Sequence, residues 1–306
     1  GLRIEQGYVS GANDLAFGVG AITLAGGGLR YINNVDRDLA FETTGELRVD
    51  GASSWIQSGD TTGAGALLKT GTGRLVFTGI AEHTGGVIVQ QGTLQVGEGL
   101  RGILTGDVQV DTGATLAFGR DDLSQFTGVI SGGGGVDKSG AGDVVFTGNH
   151  TYTGDTRVLQ GTLRIGFGGT SGSVAGDIDL AAGSRLVFDR SDSSSHGGDI
   201  TGAGELLKNG PGTLVLTGTA SHAGGTLVNG GALQVGNGGT TGELQGDVSL
   251  QGNSRLVIDR ADDLTLNTNL DGNGVLVHAG NGTTTLAGSN LLTGGTSKLD
   301  MKVMAD

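Results

Sequence analysis

Three short segments carry arginine and aspartate at a regular interval, and they are the strongest candidates for a binding surface. Such segments can be solvated loops whose local ion pairs contribute little to stability, which is the interpretation we favour. The alternative is a periodic face, presented once per repeat, that binds a partner or cations. The candidate residues are Arg120, Asp121 and Asp122 in the first segment, Arg190 and Asp192 in the second, and Arg260, Asp262 and Asp263 in the third.

The five histidines do not form a catalytic or metal-binding pattern. His83 and His222 occupy the same turn position as Tyr152, so a shared packing role explains them. The other histidines are His150, His196 and His278. The sequence contains no cysteine, which excludes disulfides and cysteine-based zinc sites. No nucleophile, base and carboxylate recur together, so we expect no catalytic residue, no metal ligand and no cofactor.

A glycine-rich stretch, GGGGVD at residues 132–137, matches the start of a calcium-binding nonapeptide. That motif works only as a tandem array, and the positions equivalent to Asp137 are Leu68 and Leu207. The stretch also fails as a phosphate loop, because Asp137 stands where a glycine should precede Lys138. We therefore expect neither calcium nor nucleotide here.

Lysine recurs at Lys69, Lys138 and Lys208, with His278 in the next equivalent position. The interval is 69 or 70 residues. Exposed charge at the edge of a sheet discourages unwanted strand pairing. We therefore predict that these lysines are an exposed feature of the coil edge.

The composition limits which elements can position these residues. Glycine supplies 65 of 306 residues and proline only 1, without the three-residue period of collagen. Short runs of leucine, valine, isoleucine and threonine argue against disorder. The net charge of −13 disfavours nucleic acid and anionic membranes. No apolar run approaches the roughly 20 residues of a membrane span, so we expect no membrane insertion.

From Gly63 onward the chain is organised by a repeat, and residues 1–62 are a looser version of it. GAGALLKTGTGRLVFTG from Gly63 aligns with segments from Gly132, Gly202 and Gly272. Apolar residues alternate with polar ones inside each unit, which is typical of short strands with one buried face. The alternating pairs include Leu75 and Phe77, Val87 and Val89, Leu94 and Val96, Val108 and Val110, and Leu116 and Phe118.

Short strands separated by glycine turns favour an all-β solenoid over a sandwich or a propeller. We predict a right-handed parallel β-helix with about three coils in each ~70-residue repeat, of about 22–24 residues per coil and about thirteen coils in total. The predicted divisions of this continuous domain are divergent coils at 1–62, repeats at 63–131, 132–201 and 202–271, and a partial repeat with a divergent end at 272–306.

The segment from Gly202 to Gly236, GELLKNGPGTLVLTGTASHAGGTLVNGGALQVG, closely resembles the autotransporter-associated β-strand repeat. The resemblance extends from Gly63 to Thr296. It implies a passenger that is exported through the periplasm and through its own C-terminal outer-membrane β-barrel, then displayed on the bacterial surface or released. The start at Gly1 without a signal-peptide pattern fits a mature part of a longer protein.

Similar passengers are adhesins, self-association factors, or stalks that carry an enzyme domain such as a subtilisin-like protease. We therefore expect a non-catalytic segment that adheres to a host-cell or matrix surface or to itself. The main alternative is a stalk that presents a separate enzyme domain. A β-helical glycan-active enzyme is the third hypothesis. We rank it last, because the sequence offers no cluster of carboxylates and basic residues for such an active site.

Overall fold

The computed structural model describes residues 1–11, 20–31 and 34–298. These residues form strands and turns, and no helix occurs among them. The strands up to Phe146 are β1 (Leu2–Ile4), β2 (Tyr8–Gly11), β3 (Ile22–Leu24), β4 (Gly28–Tyr31), β5 (Leu39–Phe41), β6 (Gly45–Arg48), β7 (Ser54–Gln57), β8 (Thr61–Gly63), β9 (Leu67–Thr70), β10 (Arg74–Phe77), β11 (Ile80–His83), β12 (Val87–Val89), β13 (Thr93–Gly99), β14 (Ile103–Thr105), β15 (Val108–Val110), β16 (Thr115–Arg120), β17 (Ser124–Phe126), β18 (Ile130–Ser131), β19 (Gly135–Lys138) and β20 (Asp143–Phe146). The later strands are β21 (Thr156–Val158), β22 (Thr162–Ile165), β23 (Ile178–Leu180), β24 (Arg185–Asp189), β25 (Ser194–His196), β26 (Ile200–Gly202), β27 (Glu205–Asn209), β28 (Thr213–Leu216), β29 (Thr219–Ala220), β30 (Thr226–Val228), β31 (Ala232–Gly239), β32 (Glu243–Leu244), β33 (Val248–Leu250), β34 (Arg255–Arg260), β35 (Leu264–Leu266), β36 (Leu270–Gly272), β37 (Val275–His278), β38 (Thr284–Leu286), β39 (Asn290–Leu292) and β40 (Thr296–Lys298).

The chain contains two compact units. The first unit comprises Gly1–Val144 and Gly148–Thr156, and the second comprises Val145–Thr147 and Arg157–Asp306. In the first unit the parallel sheets run β1-β3-β5-β8-β11-β14, β2-β4-β6-β9-β12-β15-β18 and β7-β10-β13-β16-β19. In the second they run β23-β26-β29-β32, β22-β24-β27-β30-β33-β36-β39, β25-β28-β31-β34-β37-β40 and β35-β38.

Each strand pairs in parallel with a strand about one coil further along. Within the units, paired residues lie between 17 positions apart, as for Ile22 and Leu39, and 24 apart, as for Ala220 and Leu244. This pairing is that of a β-solenoid, here of about 14 turns, and it confirms the predicted parallel β-helix. Many coils in both units are shorter than the predicted 22–24 residues: paired residues lie 19 positions apart at Arg74 and Thr93 and 20 apart at Leu206 and Thr226. The shortest coils lie in the divergent N-terminal region.

Alternation within the strands builds the core. The residues predicted to face inward in β10, β12, β13, β15 and β16 are all buried. In-register pairing then stacks them on one another from coil to coil. One column in the first unit, entirely inaccessible to solvent, consists of Trp55, Leu75, Leu94, Leu116 and Val136.

Two glycines show why the repeat needs this residue where one coil passes closest to the next. Gly132 and Gly202 have φ angles of 101° and 96°, a region that other residues rarely adopt. A Cβ atom would lie 2.1 Å from the carbonyl oxygen of Val110 in the first case and 2.2 Å from that of Leu180 in the second. The glycine therefore permits both the turn and the contact between coils.

The divergent C-terminal end predicted for the last repeat falls largely outside the described residues, which stop at Lys298. The predicted division into repeats stays a prediction, because the two compact units do not test where one repeat gives way to the next.

Candidate functional site

The three Arg–Asp loops, each an arginine and the aspartate two residues later, share one geometry. In the first loop Arg120 Nε donates to Asp122 Oδ1 at 2.8 Å, and Nη2 donates to Oδ2 at 2.7 Å. The remaining guanidinium nitrogen, Nη1, donates to the carbonyl oxygen of Gly102 at 2.9 Å. The same three bonds recur between Arg190, Asp192 and Gly172, and between Arg260, Asp262 and Gly242.

Each arginine thus joins its own loop to the preceding glycine turn. Its hydrogen bond to the carboxylate lowers the pKa of Asp122, Asp192 and Asp262. The arginine side chains are largely buried, whereas the aspartates are about two-fifths exposed. The local ion pairs expected for solvated loops are therefore present, and binding of a partner by these loops stays a prediction.

The two other predicted aspartates bind the next coil. Asp121 Oδ1 accepts the backbone N–H of Ala141 at 2.9 Å, and Asp263 Oδ1 accepts that of Thr283 at 2.7 Å. In the second loop Ser191 replaces the aspartate, and Pro211, which has no N–H, stands where Ala141 stands in the first. In the third loop Ala261 stands at the Asp121 position although Asn281 has an N–H, and the bonding carboxylate is instead that of Asp263, two residues further along.

The lysine prediction was wrong. Lys69, Lys138 and Lys208 are 0–1% exposed. Lys69 Nζ donates to the carbonyl oxygens of Thr70 at 2.9 Å, Gly71 at 2.8 Å and Gln91 at 3.0 Å, and Gln91 belongs to the following coil.

Lys208 makes the equivalent bonds to Asn209 at 2.6 Å, Gly210 at 3.0 Å and Gly230 at 3.2 Å, and Lys138 donates to Gly140. Burial lowers the pKa of all three ammonium groups to about 8, so they remain mainly protonated at neutral pH. The buried ammonium groups thus donate to backbone carbonyls, and for Lys69 and Lys208 these carbonyls belong to two successive coils.

The histidines that share a position with Tyr152 are buried with it. The Tyr152 hydroxyl bonds to Thr156 Oγ1 at 2.6 Å, and His222 Nε2 bonds to Thr226 Oγ1 at 3.0 Å. The residue four positions after His83 is a valine, and His83 Nε2 bonds instead to Thr61 Oγ1 at 2.9 Å on the preceding coil. Burial lowers the pKa of His83 to about 4. These contacts agree with the shared packing role.

The remaining histidines also have local partners. His150 Nδ1 accepts the backbone N–H of Ile130 at 3.0 Å, and burial lowers its pKa to about 4. His278, in the lysine position, bonds to Thr284 Oγ1 at 2.9 Å. Across residues 1–11, 20–31 and 34–298, no group of three or more histidines or carboxylates could hold a metal ion. In that same part of the chain, no helix has the length and apolar character needed to cross a membrane.

An apolar cleft lies beside the first Arg–Asp loop, and the sequence analysis missed it. The cleft has a volume of about 220 Å³ and is bordered by Ile103 and Leu123, which are 46% and 62% exposed. Its floor is formed by the buried side chains of Leu104, Phe118 and Phe126. Aligning the repeats would have revealed it, because serine stands at both rim positions in the second repeat, as Ser173 and Ser193.

Known proteins resemble this chain in its repeats. Residues 67–96, 136–165 and 206–235 each match the family model described as passenger-associated-transport-repeat. Each match begins two residues before one of the buried lysines. The chain is also 31% identical over 206 residues to the Adhesin BmaC autotransporter of Brucella suis biovar 1 (strain 1330), covering 61% of this chain and 6% of that protein.

Two further relatives align over shorter stretches. An extracellular serine protease of Serratia marcescens is 38% identical over 72 residues, which is 24% of this chain and 6% of the relative. Deoxyribonuclease CdiA of Dickeya dadantii (strain 3937) is 30% identical over 140 residues, which is 43% of this chain and 4% of the relative. The aligned part of the chain thus spans only 4–6% of the length of these relatives. No solved structure matches the chain.

Proposed function

Because this chain is an autotransporter passenger segment with passenger-associated-transport repeats, we propose that it acts outside the cell as a non-catalytic adhesion or self-association module. The observation that carries the proposal is the similarity of 206 residues to an autotransporter adhesin. The same similarity supports secretion to the cell surface or the extracellular space. Transport through an outer-membrane β-barrel of the full-length protein is part of the proposal.

The Arg–Asp loops are candidate contact points, but they do not share one face, because Arg190 follows β24 and Arg260 ends β34, which belong to two different sheets of the second unit. The single periodic face considered from the sequence is therefore not formed, and each loop is a separate candidate. Their aspartates keep about two-fifths of their side-chain surface exposed, and the arginines hold them in a fixed position. We propose that the loop residues contact a partner, the aspartates through their carboxylates and the arginines by holding those carboxylates in place. These residues are Arg120, Asp121, Asp122, Arg190, Asp192, Arg260, Asp262 and Asp263. We also propose that the sequence repeats, each of which carries one of these loops when complete, begin at residues 63, 132, 202 and 272.

The test uses fluorescent beads coated with the 306-residue chain. We expect the beads to adhere to cultured epithelial cells, to immobilised matrix proteins or to one another, and we expect albumin-coated beads not to do so. Soluble chain added in excess should compete with the coated beads. Failure to bind to cells, matrix and other beads would count decisively against adhesion and self-association.

A stalk that presents a separate enzyme domain is the second candidate. It is supported by the 72 residues that resemble an extracellular serine protease, and by loops whose charges are largely satisfied within the chain. A stalk predicts coated beads that bind nothing, together with a catalytic domain in the full-length reading frame. Repeats without a catalytic domain in that frame would favour adhesion.

A further inference from the structure

We propose that the cleft beside the first Arg–Asp loop binds one large apolar side chain from a partner protein segment that also carries lysine or arginine. The inference deepens the proposed adhesive function and rests on it.

The repeats provide an internal comparison for this cleft. The rim residues Ile103 and Leu123 correspond to Ser173 and Ser193 in the second repeat, and to Glu243 and Asp263 in the third. All three copies form the same Arg–Asp loop with the same hydrogen bonds. The fold therefore does not require apolar side chains at these positions. A contiguous exposed apolar patch marks a contact site, whereas single exposed apolar residues are ordinary.

The apolar surface continues onto the neighbouring strand. Ile80 in β11 pairs directly with Ile103 in β14, and both side chains point outward and are more than two-fifths exposed. The floor of the cleft consists of core residues, so an entering group would meet a preformed apolar surface. Binding energy at protein interfaces is concentrated in such desolvated pockets.

The size of the cleft indicates what can enter it. Its volume of about 220 Å³ lies below the range of roughly 300–1,000 Å³ typical of pockets for whole small molecules. One leucine- or phenylalanine-sized side chain is a better fit. The rest of the partner would then lie across the outward faces of Ile80, Ile103 and Leu123.

The charged residues around the cleft indicate the charge of the partner segment. Glu82 follows Ile80 on the outward face of β11, Glu98 lies near the end of β13, and Asp121 lies in the loop before Leu123. Arg101 forms a β-bridge with Glu98, and Arg120 is neutralised by Asp122. This acidic surplus favours a basic segment. It disfavours a second copy of this chain, whose net charge is −13, and anionic membranes.

The test measures binding of three synthetic peptides to the full chain by isothermal titration calorimetry at low salt. The first peptide is Lys-Lys-Leu-Phe-Leu-Lys-Lys, the second replaces its three central residues with serine, and the third replaces its lysines with glutamate. We expect the first peptide to bind at least tenfold more tightly than either of the others. Equal binding of the first and second peptides would show charge attraction alone and would overturn the proposal.

Variants locate the binding to the cleft. The double substitution Ile103→Ser and Leu123→Ser copies the second repeat and keeps the charge unchanged, and we expect it to weaken binding of the first peptide at least tenfold. The matched control, Leu159→Ser with Leu291→Ser, removes two exposed leucines elsewhere and should bind as the unaltered chain does. Equal loss in both variants would contradict the assignment.

A folding control excludes a trivial loss of structure. The Ile103→Ser, Leu123→Ser variant should keep the circular dichroism spectrum and the melting temperature of the unaltered chain. Binding to neutral phosphatidylcholine vesicles but not to the first peptide would replace the protein segment with a lipid and overturn the proposal. If the Ile103→Ser, Leu123→Ser variant adheres as beads of the unaltered chain do, the cleft is refuted and the adhesive function stands. If beads coated with the unaltered chain do not adhere at all, the adhesive function itself is refuted.

Discussion

The buried lysines show how strongly a residue depends on the groups that surround it. Each ammonium donates to a backbone carbonyl at the end of its own strand, and those of Lys69 and Lys208 also donate to a carbonyl of the next coil. Burial alone penalises the charge, which is why the pKa falls to about 8. Hydrogen bonds to the carbonyls satisfy all the donors that the charge brings with it.

Replacing Lys208 with methionine tests this role. Methionine keeps the length of the apolar stem but leaves the carbonyls of Asn209, Gly210 and Gly230 without their donor. We expect the free energy of unfolding to fall by about 1–3 kcal/mol, measured by urea denaturation. The control is Arg255→Met at an exposed strand position, which should change stability by less than about 0.5 kcal/mol. If Lys208→Met and the control change the free energy of unfolding equally, the prediction is contradicted. The cost of burying the ammonium would then equal the gain from its hydrogen bonds.

The sequence held a signal for this burial. Lys69 follows Leu67 by two residues and therefore lies on the inward face of the strand, and both residues are buried. Charge suggested exposure, whereas alternation indicated the core, and alternation was right. The carbonyl partners could not have been predicted, because Gln91 reaches Lys69 only once the next coil has formed.

At the scale of the element, the Arg–Asp loops close a turn with a planar, forked side chain. Lysine has the same charge as arginine but cannot donate two parallel bonds to a carboxylate while also reaching a carbonyl. We expect Arg190→Lys to lower the unfolding free energy by about 1–2 kcal/mol, because the bonds to Asp192 and Gly172 cannot all be kept.

Chemical denaturation provides the measurement, with Arg185→Lys as the control. Arg185 pairs with Glu205 on the surface, where both side chains are about half exposed, so its replacement should be nearly neutral. Equal effects of the two substitutions would show that the forked geometry of Arg190 contributes nothing beyond its charge.

The turn glycines make a second prediction for the elements. Gly202→Ala would place a Cβ 2.2 Å from the Leu180 carbonyl oxygen in a backbone region that alanine disfavours. We expect it to destabilise the chain by more than about 3 kcal/mol, or to prevent folding of that coil. Gly169→Ala is the control, since a Cβ there meets no atom within 4 Å. Thermal unfolding followed by circular dichroism compares them, and similar melting temperatures would argue against the close approach.

The sequence predicted the elements better than it predicted the site. Alternation placed Leu75, Phe77 and their equivalents inside, and the glycine spacing located the turns between strands. The Arg–Asp pairs were visible as a repeated motif. The apolar cleft was not, because its signal is a difference between repeats at Ile103 and Leu123, whereas the fold was found from what the repeats share.

At the scale of the whole molecule, the buried histidines predict sensitivity to acid. Burial lowers the pKa of His83 and His150 from 6.5 to about 4, and it also lowers that of His196 and His222. A histidine with a lower pKa in the folded chain binds its proton preferentially in the unfolded chain. Stability therefore falls as the pH drops from 6.5 towards 4.

We expect His83 and His150 each to cost about 2 kcal/mol of stability at pH 5 relative to pH 7.5. Urea denaturation at the two pH values measures the loss. His222→Tyr is the informative variant, because Tyr152 already occupies the same position with the same threonine partner. This variant should lose less stability on acidification than the unaltered chain. An equal loss in the variant and the unaltered chain would show that His222 does not contribute to the acid sensitivity.

The parallel pairing has one more consequence, which concerns the order in which the chain can fold. Within each unit every strand finds its partner no more than 24 residues away, so no strand of the sheets waits for a distant part of the sequence. A chain that becomes available from one end can therefore close one turn and then the next, from whichever end comes first. Each closed turn then offers paired strand edges on which the following turn can form.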